Sequence, residues 1–176
     1  SGGGWVIHFA SQHPDRAKKL VLIDSNGPVH PVSLTFKLFC IPVIGELFSN
    51  FFTVDDLRKG LEDAFFDKTL VTEAMIQEIR APLTFHMNRR AQRLCIRNTD
   101  YRVTAREMQA IANPTLVIWG EQDQYLDSRL ANVFRETMPD ARVVLISNCG
   151  HSAHEEKPDT VNRLIITFLN GHPATM

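Results

Sequence analysis

Three residues have the types that acyl transfer needs, and they occur in an informative order along 176 residues. Ser1 is followed by Gly2, Gly3 and Gly4 and then by a helical pattern. A nucleophilic hydroxyl on a sharp turn into a helix needs small neighbours, although a glycine-rich linker reads the same way. Asp123 closes Gly120-Glu121-Gln122-Asp123, directly after an apolar run. That places it beyond a strand's carboxyl end, where open α/β sheets assemble their sites, or makes it the cap of a helix beginning near Leu126. Asp127 and, at greater distance, Asp24 compete for the same role. His151, in Cys149-Gly150-His151, follows the next apolar run and reads either as a general base or as a solvated loop residue. His154 belongs to a face of the helix that follows. His8, His13, His30, His86 and His172 have no metal-ligand spacing with acids or cysteines, so neither metal nor cofactor is expected.

The elements that must position these residues follow from apolar periodicity. Trp5, Val6, Phe9 and Ala10 recur at helical spacing from Gly4 to His13, and Pro14 closes that helix. Leu20 to Ile23, Thr115 to Trp119 and Arg142 to Ile146 are continuous apolar runs ended by turn residues, as parallel strands covered on both faces would be. Leu126 to Met138 carries a helical stripe of Leu130, Val133, Phe134 and Thr137, and Val161, Leu164, Ile165 and Phe168 form another. Helix, strand, insert, strand, helix, strand, helix is the alternation that builds a parallel sheet by right-handed crossovers. Asp123 and His151 then leave the same edge of one sheet.

The insert reads as helical. Thr53 with Asp55 and Asp56 has the pattern of a capping box, Thr72 and Glu73 open a helix that Pro82 should end or kink, and Leu83 to Ile96 carries Arg89, Arg90 and Arg93. Eight of the eleven phenylalanines lie here (Phe36, Phe39, Phe48, Phe51, Phe52, Phe65, Phe66 and Phe85), fit either to pack a lid or to line an apolar pocket. The expected division is a core of residues 1–27 and 113–170, a helical cap of 28–112 and a tail of 171–176.

Composition narrows the partner. A net charge of -1, from 19 basic and 20 acidic residues, implies no field-driven attraction to nucleic acid or to an anionic membrane. The most apolar stretch, Leu34 to Phe52, is broken by Lys37, Pro42, Gly45 and Glu46, so no transmembrane helix is expected. Cys40, Cys95 and Cys149 lack disulfide or zinc spacing, which favours a reducing, cytoplasmic compartment. A small-molecule substrate is the expected partner.

Ser1 to Trp5, then His13 to Arg16 and Lys19 to Asp24, resemble the nucleophile helix and following strand of the α/β-hydrolase superfamily. Pro114 to Asp123 is similar to its acid loop, and Cys149-Gly150-His151 with Glu155 to Pro158 to its histidine loop. The resemblance covers the chain to about Leu169. It implies a partial α/β-hydrolase fold, a parallel sheet remnant with flanking helices and a helical cap insert. It also implies a serine hydrolase of ester-like substrates, with Ser1 as nucleophile, His151 as base, Asp123 as acid and the N–H of Gly2 as one oxyanion donor. The family's strands before the nucleophile and its second oxyanion donor do not fall within this sequence. The chain alone is therefore expected to be inactive or nearly so, since losing one such donor costs about 100- to 1000-fold, with a second copy or the missing N-terminal half covering the sheet edge. A carbon-carbon bond hydrolase of the meta-cleavage type is the alternative. Asn148 to His151 and Asn162-Arg163-Leu164 resemble that subgroup, Arg89 or Arg90 is suited to a substrate carboxylate, and Ser152 departs from the tryptophan the subgroup tends to carry. An inert binding module is the remaining reading. Haloalkane dehalogenase and epoxide hydrolase chemistry needs an aspartate where Ser1 stands.

Overall fold

The computed structural model describes residues 2–28, 34, 37–38, 41–50, 53–98 and 100–171, the side chains of 48–50 and 101 apart. Ser1, Phe36, Phe39, Phe51, Phe52, His30 and His172 lie outside the described residues. Two compact units are present: one over Ser1–Val29, Ala64–Asp67 and Tyr101–Met176, the other over His30–Asp63 and Lys68–Asp100.

The first unit is built on a parallel sheet of β1 (Leu20–Ile23), β2 (Thr115–Gly120) and β3 (Ala141–Ile146), in spatial order β1-β2-β3. Its strands are the three continuous apolar runs, and β2, the central one, is buried at all its positions. Around them lie α1 (Gly2–Gln12), α6 (Tyr101–Met108), α7 (Leu130–Thr137), a short α8 (Ala153–Glu156) and α9 (Pro158–Leu169). One face of the sheet packs Leu20, Leu22, Val117 and Trp119 against Ile7 and Ala10 of α1, Met108 of α6 and Phe134 of α7. Leu116, Ile118, Val144 and Ile146 on the other face meet Val161, Leu164 and Phe168 of α9. Alternation along each strand supplies both layers, as a parallel sheet covered by helices requires. In this chain Trp5, Val6 and Phe9 of α1 are exposed.

Register brings the strand ends together. Ile23 pairs with Ile118 and Gly120 with Ile146, so Asp24, the acid loop and the histidine loop all begin at one edge.

The second unit contains α2 (Ile44–Asn50), α3 (Val54–Ala64), α4 (Glu73–Leu83) and α5 (His86–Arg97). The capping box at Thr53 is reciprocal: its N–H donates to Asp56 Oδ2 at 2.8 Å, and its Oγ1 accepts from Asp56 N–H at 3.2 Å. Thr72 caps α4 through Met75 N–H. Two expectations are corrected here. Pro82 does not end its helix at the preceding residue. It sits in the last turn of α4, which continues to Leu83 before the Thr84 hydroxyl closes onto Ala81 O. The helix expected from Leu126 begins only at Leu130, because Asp123 Oδ1 takes the N–H groups of Tyr125 and Leu126 into a turn.

Among the described residues no helix is long and apolar enough to cross a membrane.

Candidate functional site

Asp123 and His151 meet at the carboxyl edge of the sheet, with Asp123 Oδ2 at 2.8 Å from His151 Nδ1. Asp123 does not cap the helix, which begins at Leu130 behind Arg129; its two oxygens divide their work between a turn and the imidazole. Oδ1 accepts from Tyr125 N–H at 2.8 Å and Leu126 N–H at 2.9 Å, while Oδ2 accepts from the buried Trp119 indole at 3.0 Å and faces the imidazole. Four donors fix the carboxylate, whose side chain is fully buried. A carboxylate only accepts, so Nδ1 carries the proton and Nε2 is left as the nitrogen able to take one. The ring of Tyr125 stacks on His151 at 5.1 Å and further limits its rotation.

The histidine loop is held from two sides. Asn148 adopts a left-handed φ of 54° as the chain leaves β3. His151 N–H donates to Ala64 O at 2.7 Å, and Glu156, buried in α8, accepts from Gly150 N–H at 2.6 Å through Oε1. Its Oε2 accepts from Phe66 and Asp67 N–H at 3.0 and 3.2 Å. One side chain thus ties the loop to residues 64–67. Replacing Glu156 by glutamine keeps the shape but turns an NH₂ toward at least one of these donors. A loss of about 2 kcal/mol is expected in the urea midpoint, the cost of a buried donor left unsatisfied; a midpoint unchanged from wild type would remove Glu156 from this role.

Cys149 is no competing nucleophile. Burial, reinforced by the negative charge of Glu156, pushes its thiol up to about 12, and the thiolate is the reactive form. Asp127, the nearest competitor to Asp123, is turned away into an exposed ion pair with Arg129. Asp24, the more distant one, is buried beside the pair but bonds two backbone N–H groups instead of the imidazole. Arg89 is committed to the carbonyls of Leu83 and Thr84 at the end of α4. Arg90, by contrast, lines a cleft of about 300 Å³ with Arg93, Arg97, Leu94 and Ile41. Among the described residues no cluster of three or more metal-ligating side chains occurs.

Gly2 is the first residue of α1, where an N–H is free of helical partners. A Cβ on Gly3 would stand 2.7 Å from Ser25 Cβ and closer still to its hydroxyl, so the glycine run lets α1 approach the end of β1.

The profile of the alpha/beta hydrolase fold matches residues 42–158. The chain belongs to that family. Among curated relatives, a 2-hydroxy-6-oxononadienedioate/2-hydroxy-6-oxononatrienedioate hydrolase of Comamonas testosteroni is 31% identical over 185 residues. A 2-hydroxy-6-oxo-6-phenylhexa-2,4-dienoate hydrolase of Burkholderia cepacia is 29% identical. Each alignment covers 96% of this chain, which in turn spans 59% of either relative's length. A solved 2-hydroxy-6-oxo-6-phenylhexa-2,4-dienoate hydrolase from Rhodococcus superposes with a TM-score of 0.81 at 16% identity, over 97% of this chain and 62% of its own. That likeness is one of fold.

Proposed function

We propose that this alpha/beta hydrolase acts through Ser1, His151 and Asp123, and that its substrate is a 2-hydroxy-6-oxo-dienoic acid cleaved at a carbon-carbon bond, as in meta-cleavage hydrolases. The observation that carries the mechanism is the 2.8 Å contact between Asp123 Oδ2 and His151 Nδ1, made by a carboxylate with every other lone pair directed at a fixed donor. It leaves His151 Nε2 as the base that would take the Ser1 proton and later return it to the leaving group. The N–H of Gly2, at the positive end of α1, would meet the developing oxyanion. The choice of substrate is supported by the names of the relatives at about 30% identity.

Ester hydrolysis is the second reading, favoured by Ser152 in place of the tryptophan expected beside the base in meta-cleavage enzymes. The two separate cleanly by assay. Residues 1–176, and any longer polypeptide containing them, are offered a 2-hydroxy-6-oxo-6-phenylhexa-2,4-dienoate and p-nitrophenyl acetate. Faster loss of the dienoate chromophore in the longer polypeptide, abolished by Ser1→Ala, is the expected result, with little or none from residues 1–176 alone. Turnover confined to the ester would transfer the assignment to the second reading.

A further inference from the structure

We propose that Asp24 is a positioning residue for the Asp123–His151 pair: its one carboxyl group sets the gap between the acid loop and the histidine loop. This rests on the triad reading above, and the geometry that motivates it is local. Asp24 Oδ1 accepts from Gly120 N–H at 2.8 Å, at the root of the acid loop. Its Oδ2 accepts from Ala153 N–H at 3.0 Å, two residues after His151. The donors lie 96 and 129 positions away in sequence. Asp24 also holds a left-handed φ of 43°, uncommon for a residue with a Cβ. That turn sits at the very end of β1, where the carboxyl group reaches both neighbouring loops. Strain maintained at such a point is the signature of a constrained functional position.

Three titratable groups face it: His151 and Cys149 on the histidine loop and Asp123 on the acid loop. Burial pushes Asp24 up to about 7, Asp123 adds to that, and the two backbone donors with His151 pull the other way. Cys149 stays a neutral thiol across this range.

The test uses side-chain NMR of the 176-residue chain, which needs no turnover. Wild type should show a low-field His151 Nδ1 proton. In Asp24→Asn, one acceptor oxygen survives for two donors, so this proton should exchange faster. In Asp24→Ala neither donor is served, and the proton should be lost. That order, with asparagine partly rescuing alanine, is not what simple loss of a buried side chain gives. In any polypeptide that turns over, kcat should fall about a hundredfold in Asp24→Ala, as for an ångström-scale misplacement, with KM unchanged. Variants whose His151 Nδ1 proton exchanges as in wild type overturn the proposal. Should neither variant fold, the wild type still decides: the His151 Nδ1 proton should exchange faster once the Asp24 carboxyl carbon shows that group protonated, and exchange indifferent to that step overturns the proposal. Absent turnover in a longer polypeptide containing this chain, with the NMR order intact, counts against the hydrolase reading and leaves the positioning role supported.

Discussion

Asp123→Asn is expected to lower turnover by about 10⁴-fold with the fold intact. The size follows from how the four donors are shared. Oδ1 is fixed by two backbone N–H groups, which an asparagine must meet with its carbonyl oxygen. The NH₂ then falls where Oδ2 was, against the Trp119 indole N–H and His151 Nδ1. Two donors cannot face the imidazole's Nδ1–H, so the ring takes the other tautomer and accepts at Nδ1. Its Nε2 then carries a proton and is useless as a base. The checks are kcat with the preferred substrate and the nitrogen shifts of His151, which report the tautomer directly. Activity within about tenfold of wild type would mean that the pair is structural and that the chemistry lies elsewhere.

Gly120→Ala is the change expected to cost most in stability. A Cβ there would overlap Gly150 O and lie 2.6 Å from Cys149 O, and both obstacles are backbone, unable to swing aside as a side chain would. The expected loss is about 3 kcal/mol, the upper end of over-packing, read from the urea midpoint. The strain has a direction, since relief requires the histidine loop to retreat from the strand that carries the acid. Even a folded Gly120→Ala protein should therefore lose the His151–Asp123 bond. A variant as stable as wild type, with His151 unaltered, would show that the two loops are less tightly set than this geometry requires.

Most of what the sequence disclosed was disclosed by local rules. Leu20 to Ile23, Thr115 to Gly120 and Ala141 to Ile146 could be read as buried parallel strands because each is apolar on both faces and stops at turn residues. Asp123 and His151 followed from their places after β2 and β3, with no knowledge of contact. The delayed start of α7 was harder, because Asp123 has the short polar side chain of a good cap and here withholds two N–H groups from a helix. What could not be read depended on partners far away in sequence. Asp24 reads as a turn residue before Asn26-Gly27-Pro28 and as a distant competitor for the acid, whereas the positioning role exists only once three strand ends are side by side. Glu156 was indistinguishable from its neighbour Glu155, since nothing in the sequence tells that Phe66 and Asp67, 90 and 89 positions earlier, will point their N–H groups at it. A buried acid late in a segment otherwise free to be solvated was the available signal, and burial is not visible in one sequence.

The tie between Glu156 and residues 64–67 also bears on how this protein could be re-engineered. Within the stretch between β1 and β2, Ala64–Asp67 belongs to the sheet unit, whereas His30–Asp63 and Lys68–Asp100 together make one compact unit. An exchange would therefore have to take both segments together, since Arg58–Glu73 and Arg93–Glu46 join them, and retain the four-residue footing of Ala64–Asp67. A transplant of the whole stretch that ignored it would unmoor the base, however well the donor helices packed among themselves.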